Sequence, residues 1–115
     1  MAFKQEEIRR LRGDTKPIPK ILKSDDTGLA VNITGYTFVL TVDTQQNPPD
    51  AVTQQFQISG SIIDGPAGKV QFQPSLGQAD QTPGTYWYDI QITEASGAIV
   101  TLLKGKWLIR QDITK

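Results

Sequence analysis

The chain has 115 residues, 12 Lys and Arg against 12 Asp and Glu, 37% hydrophobic residues, no Cys and no His. That is the length of one domain, enough to bury a core without cross-links. The absence of Cys excludes disulfides, thiolate metal sites and thiol nucleophiles, and the absence of His removes the commonest general base, the commonest metal ligand and every imidazole triad.

No apolar run approaches the length of a membrane span, and the acidic opening of the chain is unlike a signal or transit peptide. The expectation is a chain made in the cytosol without a leader. The zero net charge is unevenly spread. Residues 1–23 carry seven basic and three acidic side chains, residues 24–103 one and eight, and residues 104–115 four and one. Chain termini often lie close together, and the two basic ends would then form one positive stripe on an acidic body. Such a stripe suits an acidic partner surface or a second copy of the chain; the alternative is a set of solvated charges with no partner.

In chain order, residues 4–12 fit two readings. Ile8 and Leu11 stand at helical spacing, yet the same residues also alternate as a strand, and the segment is too short to decide. Residues 16–20, with Pro17 and Pro19, must be extended but poorly paired, which suits an edge or a segment that switches sheets. Residues 24–28 form a turn rich in groups that bond their own backbone. Residues 36–43 alternate cleanly, with Tyr36, Phe38, Leu40 and Val42 inward. Residues 44–50 lack any apolar side chain and hold Pro48 and Pro49, so they read as an exposed loop. Residues 55–58 and 69–73 are short strands separated by a Gly/Pro turn at 64–68, and Gly60, Gly65 and Gly68 read as turn glycines.

A further turn at 82–84 feeds the clearest strand, 85–94. There Tyr86, Tyr88, Ile90 and Ile92 share one face while Trp87, Asp89, Gln91 and Thr93 share the other. Residues 94–98 close a hairpin onto a long strand from Ile99 to Arg110, where Gly105 between Lys104 and Lys106 suggests a bulge or bend. Six to eight short strands, little helix signal, no repeat and no linker give an all-β class: a single antiparallel sandwich of about seven strands over residues 1–115. Residues 1–11 are expected as an arm, either flexible or docked.

Candidate chemistry is sparse. Arg12-Gly13-Asp14 matches the tripeptide that integrins read, but its plainer reading is a turn in which Gly13 takes a special backbone angle and Asp14 and Thr15 satisfy backbone donors. Asp25 and Asp26 with Asp64, or with Asp43 and Asp50, are conceivable cation ligands, but no calcium-loop spacing is present. Asp89 and Glu94 are the nearest thing to a glycosidase pair, and neither is expected in a cleft. No nucleophile elbow, phosphate loop or dinucleotide fingerprint occurs, so the chain is read as a non-enzyme with no catalytic, cofactor or metal residues. Trp87 is expected to point outward, as a contact surface or a sugar-stacking platform; the side of Trp107 stays open, and both are also readable as core. The candidate partner-contact residues are therefore Arg9, Arg10, Arg12, Lys104, Lys106, Arg110, Trp87 and Trp107.

One resemblance rests on the order of motifs. Arg12-Gly13-Asp14-Thr15 with Pro17 is followed by Asp26-Thr27-Gly28 leading to Asn32-Ile33-Thr34-Gly35-Tyr36. Then come Gly68-Lys69-Val70-Gln71-Phe72, Pro83-Gly84-Thr85-Tyr86-Trp87-Tyr88-Asp89-Ile90-Gln91-Ile92, Lys104-Gly105-Lys106-Trp107 and a closing Asp112-Ile113-Thr114. Together, over residues 9–114, they resemble the immunoglobulin-like N-terminal domain of tailed-phage baseplate upper proteins. The resemblance implies a structural virion component, present in the host cytoplasm before assembly. It would contact copies of itself and other phage structural proteins; no cofactor is expected, and the zero net charge gives no global attraction to nucleic acid or to an anionic membrane. Family members often continue into a further portion that docks receptor-binding proteins; nothing of that portion is carried over. The runner-up is a carbohydrate-binding or adhesion module using Trp87 and Trp107.

Overall fold

A computed structural model describes residues 4–5, 7–24, 27–45 and 54–111. The expected features at Asp25, Asp26, Asp50, most of the 44–50 loop and Asp112-Ile113-Thr114 lie outside the described residues. Eight strands and one helical turn follow in order: β1 (Lys4–Gln5), β2 (Ile8–Leu11), β3 (Ile18–Ile21), β4 (Thr37–Asp43), β5 (Gln54–Asp64), β6 (Lys69–Phe72), α1 (Leu76–Ala79), β7 (Gly84–Thr93) and β8 (Ile99–Arg110). They form an all-β domain, a single curled and open sheet in the order β1–β8–β7–β4–β5–β6–β3, with β2 also on β8.

The sheet is mixed, which corrects the expectation of a purely antiparallel one. The N-terminal segment is strand, and both β1 and β2 run parallel to β8 in one register, Lys4 opposite Leu103 and Ile8 opposite Trp107. Helical spacing at Ile8 and Leu11 loses because β8 offers this segment a full backbone ladder, while an isolated helix of two turns is marginal in water. All other described pairings are antiparallel.

The curl comes from β5. Its first half pairs with β4, Ile58 opposite Leu40, and its second half pairs with β6, Gly60 opposite Phe72. Gly60 sits inside this strand at the exchange of partners, not in a turn as its type suggests. A Cβ there would lie 2.7 Å from the Phe38 Cβ and 2.9 Å from the Phe72 ring, so only glycine lets the two layers of side chains close. Gly68 does belong to a turn: it has φ +70°, and a Cβ on it would meet the Leu22 and Val31 carbonyls.

Alternation fixes the interior. Phe38, Leu40 and Val42 of β4 meet Tyr86, Tyr88, Ile90 and Ile92 of β7, with Ile58, Val70, Phe72, Leu103, Trp107 and Ile109 around them. Each such side chain contributes roughly 1.5–3 kcal/mol over leaving it in water. α1 was not anticipated, although Ser75 and Gln78 form a capping box, each side chain accepting from the other's backbone N–H.

Candidate functional site

Opposite the core, the strands β2, β8, β7 and β4 present one outer face. Strand parity decides its membership, because residues paired across a ladder share a face. One row holds Arg9, Leu108 and Thr85; the next holds Lys106, Trp87 and Asp43; the next holds Lys104, Asp89 and Thr41. Leu11 pairs with Arg110 at the near corner, and both are exposed.

Within this face Lys106 Nζ lies 5.7 Å from the centroid of the Trp87 ring, inside the range of a cation–π contact, and Trp87 is half-buried by its neighbours. On its other side Asp43 is buried and its Oδ1 accepts the Gln45 N–H at 2.9 Å. Burial raises the pKa of Asp89 above the ordinary carboxylate value, and the Lys104 ammonium opposite it partly restores the charged form. Arg9 is exposed and carries Glu7, Nε to Oε2 at 2.7 Å.

Five of the expected contact residues, Arg9, Lys104, Lys106, Arg110 and Trp87, thus share one face. The remaining three are placed otherwise. Arg12 lies at the border, its Nε 2.8 Å from Asp80 Oδ1, while its backbone N–H donates to the Arg110 carbonyl. Arg10 falls on the interior parity beside Ile109, and its side chain is only 11% exposed. Its Nη2 donates to the carbonyls of Asp14 at 2.9 Å and Lys16 at 2.6 Å, so it braces the turn that follows β2. Gly13 in that turn has φ +85° and donates to the Ala79 carbonyl, while Asp14 Oδ1 accepts the Lys16 N–H. The Arg-Gly-Asp tripeptide is a built turn.

Trp107 is core. It is 3% exposed and stands edge-on to Phe56 and Tyr88, with ring centroids 5.9 and 6.0 Å away. Its indole N–H has no partner among the described residues. A cavity of about 10 Å³ touches it together with Arg10, Asp14 and Gln78, room for roughly one water and no organic substrate. Among the described residues no group of three or more acidic, His or Cys side chains is placed to hold a metal ion.

Sequence reading missed Leu11, a large apolar side chain 51% exposed beside the basic face. Its parity with Arg9 was the available signal. The chain matches no protein-family model and no curated protein.

Proposed function

We propose that the domain is a non-enzymatic building block that works by protein–protein assembly through the outer face of β2, β8 and β7. The observation that carries this reading is the parallel pairing of β2 on β8. It brings the two basic ends of the chain together, with Arg9, Lys106 and Arg110 around Leu11 and Trp87. Cations mixed with an exposed leucine and a half-buried tryptophan are the composition of a contact surface more than of a solvated face.

In its finer form the reading is an immunoglobulin-like sandwich. What supports it is the pairing order: β3, β6 and the second half of β5 correspond to strands B, E and D, and the first half of β5 with β4, β7 and β8 to C′, C, F and G. The assignment to a tailed-phage or prophage particle, in a tail, baseplate, neck or fibre attachment, rests on the resemblance in motif order. The carbohydrate-binding alternative has less support, since Trp107 is interior and one side of the Trp87 ring already carries Lys106.

Native mass spectrometry and light scattering at micromolar concentration test the assembly reading. A discrete oligomer is expected, converted to monomer by Trp87→Ala or Lys106→Glu with the melting temperature retained. A strict monomer that is held on glycans through Trp87 refutes it.

A further inference from the structure

The two ends of the sheet path are unequal, and the difference has a physical basis. On β3, Leu22 donates its N–H to the Gly68 carbonyl, beside the pairing of Ile21 with Lys69. Antiparallel ladders alternate, so Ile18 and Lys20 also bond toward β6, while residues 17, 19 and 21 face the open side. Two of those three are Pro17 and Pro19, which have no N–H to offer. This edge is closed to a further strand.

Among the described residues the β2 edge has no such block. Arg12 donates to the Arg110 carbonyl, which places Ile8 and Arg10 on the same bonding side toward β8. Arg9 and Leu11 therefore aim their backbone groups away from β8. The Leu11 carbonyl accepts the Asp14 N–H in the turn, leaving the Arg9 N–H and carbonyl and the Leu11 N–H without a strand partner among the described residues. β1 pairs with β8 in the same register, Lys4 opposite Leu103 and Gln5 opposite Lys104.

Charge then selects the occupant. A second copy pairing edge to edge would bring the Arg110 and Lys106 cations of the two β8 strands toward one another. An acidic strand would instead answer the excess positive charge of Arg110 and Lys106 on β8, one strand further in, since Arg9 beside it is already paired with Glu7 at 2.7 Å. We infer that the open edge of β2 is a strand-addition site for an extended, acid-rich segment of a partner protein, alternate side chains lying against Arg9 and Leu11. This rests on the assembly reading and names the chemistry of the partner.

The probe is a capped eight-residue peptide alternating glutamate and valine, read by amide hydrogen exchange and NMR titration on the whole chain. Exchange of the Arg9 and Leu11 amides is expected to slow at least about tenfold at saturation. A peptide N-methylated at alternate residues should lose binding, which checks the ladder without touching the protein's fold. Arg9→Pro, which imitates Pro19 on the other edge, should also lose it, while a lysine–valine peptide should not bind. The inference is overturned by unprotected Arg9 and Leu11 amides, by equal binding of the N-methylated peptide, or by dimerisation through β2. If Trp87→Ala and Lys106→Glu still abolish assembly while the edge amides stay unprotected, the edge site fails and the assembly reading stands.

Discussion

Gly60→Ala tests the packing that makes the sheet curl. The added methyl would lie 2.7 Å from the Phe38 Cβ, 2.9 Å from Phe72 Cε2 and 3.0 Å from Val70 Cγ2. All three neighbours are in the core, Phe72 without any exposed surface, so none can swing into solvent. Overpacking of this kind costs about 1–3 kcal/mol. Alanine also restricts the unfolded chain, which returns about 0.4–1 kcal/mol, and Gly60 has no positive φ to penalise the substitution further. The net loss is about 1–2 kcal/mol, or roughly 4–8 °C in melting temperature for a domain of this size. Urea denaturation with matched thermal scans measures it. Gly77→Ala in α1 is the control, since a Cβ there meets nothing within 4 Å and stability should hold or rise slightly. A Gly60→Ala chain as stable as the parent would refute the argument that the β5 partner exchange depends on this close approach.

Two further outcomes follow from the same geometry. Trp107→Ala should cost about 3–5 kcal/mol in urea denaturation, whereas Trp107→Phe should cost less than half of that, because it keeps a ring against Phe56 and Tyr88 and removes a buried N–H that has no partner among the described residues; equal losses would contradict the core placement. Asp89 has a folded pKa raised by burial, so the unfolded chain gives up its proton first and stability falls as pH rises through the folded value. Asp89→Asn should therefore melt higher than the parent at pH 7, with the gap closing below the ordinary carboxylate pKa; a gap that persists at pH 3 would sink the assignment.

Alternation made much of the core legible. Phe38, Leu40, Val42, Tyr86, Tyr88, Ile90 and Ile92 are all interior, as their period of two requires. The last strand was harder because its phase changes inside it. Ile92 pairs with Val100 and Ile90 with Leu103, so the extra residue is Leu102, not the expected Gly105, which pairs regularly with Tyr88. That shift turns Ile99 outward and keeps Leu103, Trp107 and Ile109 inward together. Placing the bulge at Gly105 left the side of Trp107 undecidable, since one slipped residue exchanges the faces. The parallel pairing of β2 was illegible for another reason: a ladder to a strand about a hundred residues away leaves no mark in the local pattern.

The same parity rule divides the basic residues that the sequence presents as one group. Arg9 and Arg10 are neighbours in the chain, yet one reaches solvent and the other turns inward. A guanidinium cannot stay there without acceptors, and the carbonyls of Asp14 and Lys16 supply them. Arg12 is likewise engaged, with Asp80. The fold thus uses two of the N-terminal arginines to hold the turn between β2 and β3 and the end of α1. What it leaves outward is a smaller set, Lys106 and Arg110 beside Leu11 and Trp87, with Arg9 outward but paired to Glu7. Zero net charge is then compatible with a directional surface, because the cations left outward share one face with exposed Leu11 and half-buried Trp87.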